Sequence, residues 1–234
     1  SENLWKKYLL TLRKGIDLKI EGTKIFHFED EKGLLLGFTK IINQINPDIL
    51  IGYNILKFDW DYLIKRADKL GIYYEFVQLN KLYDTSAKKI KKEWASSAYG
   101  KQDFEFLECQ GRLNIDVLIE IERNHKFDKY TLDFVSEHFL KDNKKEVSPK
   151  QLFKLYKFSC DTRNYHDYKI NSEYLRDIKL IAKSIFNDEE EDSLTFNYLE
   201  EILISNENNI LSLLSKPLEI IGEYCVHDSV LVLK

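Results

Sequence analysis

At 234 residues, with 44% hydrophobic residues and fourteen each of Tyr and Phe, the chain is long enough for one large domain or two small ones and too apolar for disorder. A formal net charge of −4 speaks against a broad basic surface that grips phosphates, and no apolar run approaches the ~20 residues of a membrane-spanning helix. The polar opening SENLWKKYLL is no secretion signal, and Cys109, Cys160 and Cys225 form neither a disulfide framework nor a thiolate zinc pair, so an intracellular protein is expected.

In chain order, Ile16, Leu18 and Ile20 alternate before Glu21-Gly22, and Ile25, Phe26 and Phe28 follow, which predicts two strands joined by a tight turn. From Glu31 to Ile45 the apolar set Leu34, Leu35, Phe38, Ile41, Ile42 and Ile45 has helical spacing. Ile49, Leu50 and Ile51, set between Asp48 and Gly52, then predict a short interior strand over 49–53, buried on both faces. Helical spacing resumes at Asp59 through Trp60, Leu63, Ile64, Ala67 and Leu70, and Gly71 stops it. Helix, strand and helix in succession indicate an α/β fold. Asn54 and Asp59 therefore fall just past a buried strand and at the opening of a helix, where open α/β sheets keep their ligand crevices. An aspartate at that position also complements the helix N-terminus, with no chemistry required.

Tyr73 to Leu79 reads as another short strand. Lys88, Lys89, Lys91 and Lys92, with Trp94 and Tyr99, combine base and aromatic as a nucleic-acid contact does. A single lysine cluster is also ordinary on exposed segments, and a solvated connecting loop is the expectation. Phe104–Leu107 and Arg112–Val117 read as strands around Gly111, the second passing through Asp116 into a helix with Val117, Leu118, Ile121 and Glu122. Another helix is expected over Thr131–Leu140, and Ser148 followed by Pro149 opens a short one to Tyr156. Residues 158–215 are rich in Asn, Asp, Glu and Ser and include the acidic run Asp188 to Asp192. They keep helical spacing over Leu175–Ile185 and Leu199–Leu214, so they are read as a helical insertion in a domain built from 1–157 and 216–234. Pro217 is expected to open the last helix, with Ile221, Cys225 and Val232 inward and Tyr224 and Asp228, four apart, on another face. The five histidines, His27, His125, His138, His166 and His227, have no zinc-site spacing.

Two of these stretches carry a resemblance. PDILIGYNILKFDWDYLIKRA closely resembles the second exonuclease motif of family B DNA polymerases, and EYCVHDSVLVLK resembles the third, with its tyrosine four residues before an aspartate. Between them, GRLNIDVLIEIERNHKFDKYTLDFVSEHFLKDNKKEVS is similar to the linking segment of eukaryotic and large-virus replicative polymerases. The resemblance covers residues 29–155 and 216–234. It implies a ribonuclease-H-like 3′–5′ exonuclease domain, a mixed sheet flanked by helices, that removes mismatched nucleotides from a primer 3′ end with four carboxylates and two divalent metals. Hydrolysis of a phosphodiester needs an activated water and a stabilised leaving oxygen, which two ions ~4 Å apart supply together. Hard cations such as Mg²⁺ or Mn²⁺ take oxygen ligands, and they reverse the charge of an acidic site, so the net charge is no objection. By the resemblance, Asp59 and Asp228 are metal carboxylates, Tyr224 orients the attacking water, and Asn54 and Phe58 shape the pocket for the terminal nucleotide. The implied partners are a DNA primer 3′ end, single-stranded DNA and the rest of a polymerase chain, with no membrane. The implied location is the site of DNA replication, a nucleus or a cytoplasmic viral factory. Asp116 matches an acidic position of the relatives and is read as a helix start in preference to a metal ligand.

Two features depart from the family pattern. The first exonuclease motif, an aspartate and a glutamate one residue apart on an upstream strand, is not found, and Glu29-Asp30-Glu31 sits in a polar turn instead. A fragment beginning after that strand is expected, inactive by itself. The stretch 158–215 has no counterpart in the family. The alternative reading is a non-hydrolytic, DNA-binding wing of such a polymerase; an unrelated exonuclease of the same superfamily acting on RNA fits the long GYN segment less well.

Overall fold

The computed structural model describes residues 5–12, 18–82, 84–96, 100–142, 147–165, 171–186 and 193–234. The chain divides into an α/β unit, Leu10–Leu12 with His27–Asn143 and Ser229–Lys234, and a helical unit, Ser1–Leu9 with Arg13–Phe26 and Lys144–Asp228. Strands β1 (Lys7–Thr11) and β2 (Thr23–His27) pair with each other. The partner of β2 is thus the Lys7–Thr11 segment, whereas the expected strand around Ile16 lies partly outside the described residues.

The α/β unit proper begins with α1 (Glu31–Ile45), opened by the Asp30 carboxylate accepting the Gly33 N–H at 2.7 Å and closed by Asn46 in the left-handed region at φ 51°. Strand β3 (Ile49–Gly52) leads into a π-helical turn, Ile55–Asp59, and then α2 (Trp60–Lys69) and the short α3 (Tyr73–Phe76). A hairpin of β4 (Lys88–Ser96) and β5 (Gly100–Glu108) follows, antiparallel over nine rungs from Lys88↔Glu108 to Ser96↔Gly100. The chain returns as β6 (Leu113–Asp116), parallel to β3 with Gly52 opposite Asp116, and continues into α4 (Val117–Asn124) and α5 (Leu132–Leu140). Leu35, Trp60, Ile64, Phe76, Leu79 and Leu107 form the buried centre that these elements share.

Several expectations are corrected. One face of β3 is open, with Ile49 50% and Ile51 40% exposed, because alternation sends only Leu50 to the core of this unit. Tyr73–Phe76 is helical: its aromatic content suggests a strand, but Phe76 and Val77 are drawn into the core from a turn stopped by Val77. The lysine-rich segment is a strand, held by β5 and not left as a loop. Where one mixed sheet was expected, the described strands make three two-stranded sheets, so the architecture is mixed α/β.

The helical unit contains α6 (Pro149–Asp161), a 3₁₀ turn at Arg163–Tyr165, α7 (Ser172–Phe186), α8 (Ser193–Ile204) and α9 (Glu207–Leu231), which passes out of the unit after Asp228. Ser148 and Gln151 form a reciprocal capping box at the start of α6. Leu155, Phe158, Ile178, Ile202, Ile210 and Leu214 are fully buried together, and Ile220 and Ile221 pack on them. The acidic run Asp188 to Asp192 and His166 lie outside the described residues.

Pro217 does not open the last helix; it sits inside α9. A helical proline withdraws the hydrogen bond owed to the carbonyl four residues earlier. That carbonyl, Leu213 O, accepts the Tyr198 hydroxyl at 2.6 Å instead, so the helix continues through Pro217 with its acceptor satisfied. Cys225 is exposed, and the inward position near it belongs to Gly222, where a Cβ would stand 2.6 Å from the Ile20 side chain and 2.7 Å from that of Leu9. Among the described residues no helix is long and apolar enough to cross a membrane.

Candidate active site

The end of β3 turns sharply. Gly52 is pressed so closely on Ile55 that a Cβ would lie 2.2 Å from its side chain, and Asn54 adopts φ 64°, a conformation that asparagine tolerates better than most residues. The following turn is π-helical, with the Trp60 N–H donating to the Ile55 carbonyl five residues back. Such a turn carries one residue more than an α-helical one, which displaces Phe58 and Asp59 from the regular face of α2. Phe58 is 62% exposed, although it is a large apolar ring, and the Asn54 side chain makes no capping bond to the turn.

Asp116 holds this corner from below. It is 4% exposed, and its carboxylate accepts three backbone N–H groups, from Asn54 at 2.8 Å, Leu56 at 3.0 Å and Leu118 at 3.1 Å. The last contact is the expected cap of α4; the other two tie β6 to the corner across the sheet. Tyr53 adds a second tie, its hydroxyl donating to the Tyr130 carbonyl at 2.6 Å. Burial, with Glu122 and Asp116 nearby, pushes that phenol up to about 12, so it stays a donor at neutral pH.

Asp59 is exposed by area, yet protein crowds its carboxyl enough to raise its pKa by desolvation. Its own backbone N–H partly offsets this, and the charge of Asp116 adds to the rise. A cleft of about 780 Å³ opens beside the corner, lined by Leu56, Phe104, Phe106, Ile115, Asp116 and Arg123 among others. Lys57 lies over the Phe104 ring at 5.6 Å from its centroid.

The sequence-derived residues fall into two groups. Asn54, Phe58 and Asp59 are brought together on the corner of the α/β unit, while Tyr224 and Asp228 stand one helical turn apart, both half-buried, on the part of α9 that belongs to the helical unit. The double use of Asp116 escaped sequence reasoning. A strand-to-helix aspartate announces a cap, but its contacts with residues 60 and 62 positions earlier are tertiary and leave no local signal.

Among the described residues no three His, Cys, Asp or Glu side chains gather as ion ligands. Asp116 spends both carboxylate oxygens on backbone N–H groups, leaving Asp59 as the carboxylate that the corner itself can offer. A hard divalent cation takes about six oxygens, so these donors alone do not make a two-ion centre.

The exonuclease-domain model of family B DNA polymerases matches residues 2–135, which contain the whole corner and both of its ties. The chain belongs to that family. It is 36% identical over 156 residues, 67% of the chain, to DNA polymerase 120R of Invertebrate iridescent virus 3, and 33% identical over 182 residues, 77% of the chain, to the DNA polymerase delta catalytic subunit of Arabidopsis thaliana. DNA polymerase 037L of Invertebrate iridescent virus 6 is 27% identical over 282 aligned positions covering 97% of the chain. These matches span 14%, 16% and 22% of the respective relatives. The family's exonuclease domains generally depend on divalent metals.

Proposed function

We propose that the chain contributes most of the proofreading 3′–5′ exonuclease domain, of ribonuclease-H-like fold, to a larger family B replicative DNA polymerase. The observation supporting this is the corner at 52–59, with its exposed Phe58, left-handed Asn54 and π-displaced Asp59, inside the segment matched by the exonuclease family. In this reading Phe58 stacks on the terminal base of a primer or single strand, and Asn54 hydrogen-bonds the same nucleotide. Asp59 and Asp228 are ligands of Mg²⁺ or Mn²⁺, and Tyr224 orients the attacking water. When bound, the two ions would generate the nucleophile and stabilise the leaving oxygen. Residues 158–215 act as a helical insertion whose shortening spares the α/β unit. The place of action is the site of DNA replication.

Two carboxylates are too few for two hard cations, so the chain alone is expected to bind single-stranded DNA and to hydrolyse it negligibly. One alternative is a DNA-binding wing with no hydrolysis. A nuclease assay on a 3′-mismatched primer separates the two. The polypeptide extended along its own reading frame is expected to remove 3′ nucleotides with Mg²⁺ or Mn²⁺, Asp228→Ala to abolish this, and Tyr224→Phe to slow it. Strong cleavage by the 234-residue chain, unchanged in Asp228→Ala, would overturn the assignment.

A further inference from the structure

Asp116 does more than a helix cap requires. Capping α4 takes one acceptor for the Leu118 N–H, and serine, threonine or asparagine would serve as well as aspartate. The remaining capacity of the carboxylate goes to Asn54 and Leu56, the two amides that flank Ile55 where the π turn begins. That segment departs from regular helix. Asn54 sits in the left-handed region at φ 64°, and the π turn that follows is a rare departure from the α-helix. Gly52, opposite Asp116 in the parallel register, lets the chain fold back tightly enough for both amides to reach one carboxylate. Asp116 is also 4% exposed with every oxygen engaged, so it is not disposed to touch a substrate itself.

We propose that Asp116 is a positioning residue: through the backbone of Asn54 and Leu56 it fixes the direction in which Asn54, Phe58 and Asp59 meet the terminal nucleotide. The inference rests on the exonuclease reading, and it adds a residue that touches neither ion nor DNA.

The deciding variant is Asp116→Ser, which keeps a capping oxygen for Leu118 and is too short to reach the corner. Asp116→Asn is the second, since its amide nitrogen would face the Leu56 N–H donor to donor. Amide hydrogen exchange is read at Asn54, Leu56 and Leu118, together with the anisotropy of a fluorescent oligothymidylate bearing a free 3′ end. In Asp116→Ser, exchange at Asn54 and Leu56 is expected to accelerate while Leu118 stays protected, and oligonucleotide affinity to fall about tenfold. Introduced into Asn54→Ala, the same change should weaken binding little further, because both act through one contact. Unchanged affinity despite faster Leu56 exchange would overturn the inference. Acceleration of all three amides, with binding lost only in proportion to unfolding, would overturn it equally and leave a cap. Should Asp116→Ser fail to fold, Asp116→Asn decides on the same two readouts. A wild-type chain that does not bind the oligonucleotide would instead overturn the functional reading.

Discussion

The two units bury different things. The α/β unit places a charged group at each end of β6 and satisfies it with backbone: Arg112, just before the strand, donates to the carbonyls of Leu79 and Pro47 at 2.7 and 2.5 Å, and Asp116, at its end, accepts three N–H groups. The helical unit buries rings and branched aliphatics, with Phe158 against Phe186 and Tyr198 at 5.6 and 5.9 Å between centroids. Its polar demands are met singly, as Tyr198 does for Leu213. Buried charges cost desolvation and specify geometry, whereas apolar packing stabilises without fixing any one backbone direction. The difference marks the α/β unit as the one built to hold a corner in place.

The largest expected effect lies in the helical unit. Phe158→Ala removes a fully buried ring and should cost about 4 kcal/mol, read by urea unfolding. Amide exchange should quicken around Ile178 and Ile202 and stay slow at Asn54 and Leu56; equal loosening of both would erase the contrast. Arg112→Met should cost about 3 kcal/mol by leaving the Leu79 and Pro47 carbonyls without their donor, and it should speed exchange at the start of β6. A variant as stable as wild type would mean that the buried charge specifies nothing.

Tyr198→Phe isolates one hydroxyl. Losing it exposes the acceptor that Pro217 had already orphaned, at a cost of about 1–2 kcal/mol in thermal unfolding, whereas Pro217→Ala in the same background should recover part of that by restoring a backbone donor to Leu213. The smallest effect is a pH dependence. The hydrogen bond from Arg66 holds the Glu31 carboxyl below its ordinary value of 4.5. A depressed acid stabilises the folded state fully above its unfolded value and loses that contribution as pH falls through the folded one. Wild type should therefore exceed Glu31→Gln slightly in melting temperature at neutral pH, with the gap closing below 4.5. A gap that widened with acid would reverse the sign and remove Arg66 as its cause.

Legibility followed locality. Helix α1 occupies the span Glu31–Ile45 that its apolar spacing gives, because cap, periodicity and stop all lie within the segment. The end of β3 and the helical character beyond Asp59 were readable for the same reason, while the intervening π turn was not, since a single added residue leaves the pattern of Trp60, Ile64 and Ala67 intact. Strand β4 was missed because Lys88, Lys89, Lys91 and Lys92 give no two-residue alternation; its register comes from β5. Continuity of α9 through Pro217 depends on a hydroxyl nineteen residues earlier, at Tyr198, which no local rule anticipates. At the candidate site, motif resemblance supplied Asn54, Phe58 and Asp59, and tertiary contact alone revealed what Asp116 does.

Under the proposed function, Asp59 and Asp228 would serve one reaction. Removal of a 3′-mismatched nucleotide by the polypeptide extended along its reading frame tests this with Asp59→Ala, Asp228→Ala and the double variant. Groups that act as a unit are strongly non-additive, so each single change should cost as much as both together, on the order of 10³-fold or more. Losses that multiply in the double variant, or full activity in either single one, would contradict a shared site.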